Sequence, residues 1–184
     1  LSGSLPAGIT LSSSGQLSGT ATAPATATLV VQVADTRGIT AQRSYSLNIQ
    51  ALPVSGGSLS LSTAVGVSNS QNDVSVTISS PQSEVITGTV TLTLSGSGTP
   101  PIDDPAVQFI GGGRTASFTI AAGQTSATFG SSPSARFQTG TTAATLIFTA
   151  TFQRAGQDAT PSPAPRATLT IPVTPPTLTD LNVT

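Results

Sequence analysis

Leu146-Ile-Phe-Thr-Ala-Thr-Phe152 decides the fold: Leu146, Phe148, Ala150 and Phe152 fall on every second residue, with Ile147 and two threonines between them. Alternate side chains of a pleated strand point to opposite faces, so this spacing buries one face and leaves the other to polar or β-branched residues. The same period of two runs outward along the chain. In Thr28–Ala34 it picks out Leu29, Val31 and Val33, and in Ser44–Ile49 it picks out Tyr45, Leu47 and Ile49. It returns in Leu59/Leu61, Val74/Val76/Ile78, Val90/Leu92/Leu94, Phe118/Ile120 and Leu169/Ile171/Val173. Most intervening positions are Ser or Thr, and Gly, Pro, Asn and Asp clusters separate the runs at the spacing of sandwich hairpins. No stretch reads as a helix. The fold class is all-β.

Composition narrows the chemistry. Of 184 residues, 7% are charged, where about a quarter is usual, and Cys, His, Met and Trp are all absent. Lys is missing too, so all six basic residues are Arg. A mean hydropathy of +0.19 and a net charge of −1 do not match the low-hydrophobicity, high-charge signature of disorder, so the chain is expected to fold. Scattered arginines on a near-neutral chain make no basic stripe, so nucleic acid is not an expected partner. No run of about 18 apolar residues is present, so no membrane-spanning helix is expected. Zero Cys is compatible with an oxidising exterior, and the make-up low in Lys but rich in Thr, Ser and Gly points to a secreted or cell-surface location. Leu1 opens the chain with no charged leader or cleavage site, so any signal peptide lies upstream of it.

Two divides are legible. Leu52-Pro-Val-Ser-Gly-Gly57 lies between alternating runs and reads as a short linker, and Pro175-Pro176 follows the last long strand. The expected organisation is therefore 1–52, 57–174 and 175–184. The last piece carries Leu178, Leu181 and Val183 and reads as the start of a following module.

Leu5-Pro-Ala-Gly-Ile-Thr-Leu-Ser-Ser-Ser-Gly-Gln-Leu-Ser-Gly-Thr20, followed by Val31-Gln-Val-Ala-Asp-Thr-Arg-Gly38, resembles the putative Ig (cadherin-like) domains of bacterial surface proteins over residues 3–50. Those domains carry an LPxGLxLxxxGxLxGTP-type hairpin, a strand, an Asp-x-x-Gly turn and a last strand. They begin some strands earlier, so the resemblance implies that 1–52 is the C-terminal part of an Ig-like sandwich. Residues 57–173 are similar to sandwich repeats of large exported bacterial proteins and, more loosely, to Calx-β modules. That likeness is carried by Thr119-Ile-Ala-Ala-Gly-Gln-Thr-Ser126, Phe137-Gln-Thr-Gly-Thr-Thr-Ala143 and Pro161-Ser-Pro-Ala-Pro165. Together they imply tandem immunoglobulin-like β-sandwiches, the first truncated.

Missing residues remove most catalytic schemes. A Ser nucleophile needs a His or a depressed Lys to take its proton, and zinc sites or thiolate chemistry need Cys or His. Paired carboxylates remain, from Asp35, Asp73, Glu84, Asp103, Asp104, Asp158 and Asp180. Asp103 and Asp104 are adjacent, and neighbours on an extended chain point apart. With no Trp and one Tyr, a sugar finds no aromatic platform, so no enzyme is expected. No cofactor is expected either. Calcium is the one ion the loop carboxylates suit, because hard cations take oxygen ligands. Its candidate ligands are Asp35, in Asp-Thr-Arg-Gly, and Asp103 with Asp104, in Pro-Pro-Ile-Asp-Asp-Pro. The simpler reading of Asp35 is a turn closed by Gly38, and that of Asp103-Asp104 a solvated loop. Gly111-Gly-Gly-Arg114 lacks the Gly-Lys-Ser/Thr ending and following helix of a phosphate loop and reads as a hairpin turn. The Thr/Ala run Gly19–Thr28 reads as strand-compatible sequence rather than an ice-binding array. The six phenylalanines are expected in the core of the second segment.

The sequence thus leads to a non-catalytic spacer or adhesion module, with a calcium- or glycan-binding sandwich as the rival. Its expected partners are neighbouring Ig-like modules of the same parent chain. Half a sandwich leaves apolar faces and strand edges uncovered, so segment 1–52 is expected either to pack on the second module or to borrow strands from another copy.

Overall fold

The computed structural model describes residues 2–96 and 103–173, and every described element is a strand. The expectation for 175–184, and Asp180 within it, lies outside the described residues. Two compact units form: residues up to Pro53 with Gln153–Ala159, and Val54–Phe152 with the residues from Thr160 on.

In the first unit, β1 (Ile9–Leu11) and β2 (Leu17–Gly19) make a short antiparallel hairpin. Strands β3 (Ala25–Ala34) and β4 (Thr40–Ile49) make a ribbon ten residues long, paired from Ala25↔Ile49 to Ala34↔Thr40. Directly paired residues share a face. One face therefore carries Leu29, Val31 and Val33 with Tyr45, Leu47 and Ile49, and Arg43 opposite Val31; the other carries mostly Thr, Ser, Gln and Asn, with Val30 and Ala34. Leu29 is buried, while Tyr45 is 49% and Val33 64% exposed. Ser2 exchanges two backbone hydrogen bonds with Val30, which fixes the phase of the ribbon. Because Val30 turns its N–H and C=O outward, its odd-numbered neighbours bond β4. On β4, Gln42, Ser44 and Ser46 then turn theirs away from β3.

The second unit is a two-sheet sandwich. One sheet runs β5 (Ser58–Leu61), β6 (Gln71–Thr77), β10 (Ala135–Gln138), β8 (Gln108–Phe109). The other runs β11 (Ala144–Arg154), β7 (Ile86–Gly96), β9 (Thr115–Ile120), with β13 (Arg166–Ile171) along the outer side of β11; β12 (Gln157–Asp158) pairs the last two residues of β11, Gln153 and Arg154, and is grouped with them in the first unit. After β5 the chain changes sheets, and Gly66 N–H donates to Thr170 O of β13. This is an Ig-like all-β architecture.

The core follows the alternation. Val74, Val76, Ile86, Val90, Leu146, Phe148, Ala150, Phe152 and Leu169 are all within 1% of complete burial. Phe137 of one sheet meets Phe148 of the other at 4.7 Å between ring centroids, and Phe109 meets Phe148 edge-on at 6.5 Å. Five of the six phenylalanines are buried as expected. The sixth, Phe129, is half-buried and stacks on Phe118 at 5.8 Å. Val173, read as the end of the last strand, is 74% exposed, because the strand stops at Ile171 and Pro172 has no N–H to continue the ladder. Within the Leu52–Gly57 linker, Val54 is 2% exposed and belongs to the sandwich core.

Candidate functional site

The acidic loops and one cleft are the places where polar groups converge. In the β3–β4 turn, Asp35 Oδ1 accepts the N–H groups of Arg37 and Ile39, both at 2.8 Å. Gly38 N–H donates to Asp35 O, and Gly38 has a φ of +81°, a conformation Gly adopts without strain. The local sequence Asp-Thr-Arg-Gly explains all of this as turn chemistry.

Asp104 differs from its expected setting. The loop between prolines was read as solvated, yet Asp104 is only 8% exposed. Its Oδ1 accepts Ala106 N–H at 2.9 Å, and its Oδ2 accepts Thr141 N–H and the Thr142 hydroxyl, both at 2.8 Å. Burial pushes this carboxyl up, but the Thr142 hydroxyl and the Ala106, Thr141 and Thr142 amides outweigh it and hold it below the usual aspartate value. Gly140 is required beside it, since a side chain there would collide with Asp104 Oδ2. The signal in the sequence was half of the arrangement: Asp-Pro-Ala announces a turn, but nothing local announces Thr141 and Thr142, 37 and 38 residues on.

Arg114 ties the same loop to the turn that Gly111-Gly-Gly makes between β8 and β9. Its Nε donates to Val107 O at 3.2 Å and its Nη2 to Asp104 O at 2.9 Å. Nη2 also pairs with Asp103 Oδ1, on a side chain 71% exposed. Thus Asp103 and Asp104 come together around Arg114, while Asp35 belongs to the first unit. Among the described residues no group of three or more acidic side chains assembles that could hold a metal.

An open cleft of about 690 Å³ lies at one edge of the sandwich, walled by Ile110, Phe129 and Pro133 and floored by the cross-strand pair Asp73 and Arg136. Arg136 Nε donates to Asp73 Oδ1 at 3.2 Å and Nη2 to Oδ2 at 3.3 Å. The pair was not singled out in the sequence, where its members stand 63 residues apart. With each charge answered by the other, the cleft offers apolar surface and a satisfied ion pair. Exposed pairs of this kind add little to stability.

Residues 1–50 match the family model described as Putative Ig domain. The expected likeness of residues 3–50 is thereby shown, over rather more than a quarter of the 184-residue chain. No protein of curated function matches the chain.

Proposed function

We propose, from the Ig-domain match of residues 1–50, that the chain is a non-catalytic spacer or adhesion segment of an exported, cell-surface protein of bacterial type. The observation that supports it most is the pairing of that match with a second, complete sandwich whose inner faces are apolar and whose outer strand faces are Ser and Thr. Such units hold their ends apart and present polar surface outward, which is the mechanical task of an array element. The chemistry of the chain agrees: no His, Cys or Lys is available to activate a nucleophile. Its carboxylates close turns and answer arginines instead.

The test is surface accessibility in the cells that make the parent protein. An antibody raised against this chain should label intact cells, and external protease should remove the label. Label found only after lysis would overturn the reading, as would a hydrolytic turnover by the purified chain that tracks with its folded state.

A further inference from the structure

We propose that the open cleft at the edge of the second sandwich is a carbohydrate site, and that it takes a neutral, β-linked oligosaccharide whose pyranose rings carry equatorial hydroxyls. The cleft encloses about 690 Å³, within the range of about 300–1,000 Å³ that small-molecule sites occupy. Its walls come from residues 73–136, inside the second unit.

The apolar wall is held in place before any ligand arrives. Phe129 is the one phenylalanine of six that is not buried, and part of its ring lines the cleft. That ring leans on Phe118, 5.8 Å between centroids with a tilt of 57°. Its backbone is fixed as well. Thr128 and Thr119 exchange two hydrogen bonds of 2.8 and 2.9 Å, and Phe129 and Ser132 exchange two more around the turn at Gly130. Ile110, 51% exposed, is tied to β10 by its N–H, which donates to Arg136 O at 2.9 Å. A ligand therefore meets surface that needs little ordering on binding.

The polar floor selects the ligand. Among the described residues, the Asp73–Arg136 pair uses two of the five guanidinium N–H groups and one lone pair on each carboxylate oxygen. Three N–H groups and further lone pairs remain, on side chains 59% exposed for Arg136 and 33% for Asp73. An anion or a cation has to compete with the partner already in place. A purely apolar molecule strips water from both charges without replacing its hydrogen bonds. A neutral polyol does neither. Vicinal equatorial hydroxyls of one sugar donate to Asp73 and accept from Arg136. Axial C–H groups of that sugar or the next lie against Phe129, whose ring face is the negative part of its quadrupole. Phe109 also borders the cleft but is buried, and the chain has no Trp, so Phe129 carries the aromatic surface.

Backbone amide shifts of the full chain, titrated with cellotetraose, laminaritetraose and xylotetraose, test the site. At least one is expected to bind with a Kd of about 1 mM or tighter and to move the amides of Ile110, Phe129, Ser132 and Arg136. Asp73→Ala combined with Arg136→Met removes the floor and leaves no charge unpaired. It should weaken binding by about tenfold or more, with a thermal melt close to wild type. Phe129→Leu keeps an apolar side chain without the ring face and should weaken binding by up to about tenfold. Should Phe129→Leu fail to fold, the double variant decides. No shift with any of the three sugars at about 10 mM overturns the proposal. So does binding that the double variant retains in full, or binding whose shifts fall outside the cleft. Preferential, salt-sensitive binding of trigalacturonate also overturns it, by making Arg136 an anion site. Binding by the purified chain does not depend on where the parent protein resides, so a failure here leaves the surface-accessibility test untouched, and the reverse.

Discussion

Asp104 shows how a buried carboxylate is made acceptable. Desolvation favours its neutral form, yet two amides and a hydroxyl within 2.9 Å favour the charged one, and the donors prevail. The sign for stability follows. A carboxyl held lower in the folded chain than in the unfolded one stabilises the fold fully above its unfolded value, near pH 4. That contribution disappears as pH falls through the lower folded value. Asp104→Asn turns an amide N–H₂ or a weaker acceptor toward Thr141 and Thr142 and should cost about 1–3 kcal/mol at neutral pH. Melts from pH 7 down to pH 2 check it: the gap between variant and wild type should narrow below about pH 4. A gap independent of pH would mean that the charge is not what matters. The same filling of acceptor sites bears on calcium. Asp35 Oδ1 is committed to two amides and Asp103 to Arg114, so calcium is expected to leave the melting temperature unchanged. Calorimetric titration with and without chelator checks this, and a stoichiometric heat abolished by Asp35→Asn or Asp103→Asn would show the opposite.

At the level of elements, β7 and β9 carry a packing device visible only in three dimensions. Gly88 pairs with Phe118, and a Cβ there would run into the Thr151 carbonyl oxygen and the Phe118 ring. β-propensity alone would favour Ala or Val over Gly in mid-strand. The packing reverses that sign, and Gly88→Ala should destabilise by about 1–3 kcal/mol. Thermal or denaturant unfolding checks it, and Gly88→Ala combined with Phe118→Leu should cost less than the two single changes summed. What the sequence made legible divides along the same line. Long strands with one buried face, such as β6 and β11, declare themselves, because burial forces apolar residues onto every second position. Strands β8 and β12 are two residues each, too short to hold a period, and exist because longer neighbours offer them a ladder. The turn role of Asp35 was legible because its partners lie within four residues, whereas the partners of Asp104 and Arg136 depend on the sandwich being closed.

Across the whole molecule, apolar burial is divided unevenly. The largest fully buried side chains, Phe137, Phe148, Phe152, Ile86, Leu92 and Ile120 among them, all belong to the second unit. The ribbon of the first unit contributes only Leu29 to the buried set. Small sheets with little buried area are marginal, and each unit carries its own core, so heat should unfold the chain in more than one step. The first unit should melt at the lower temperature. Leu29→Ala removes its central buried side chain and should lower only that transition. Phe148→Ala, which empties the space between Phe109 and Phe137, should lower only the later one, by the equivalent of about 3–5 kcal/mol. Scanning calorimetry of the two variants beside wild type distinguishes the cases. A single transition that both substitutions shift would mean that the units melt as one body, and that the second sandwich lends its stability to the first.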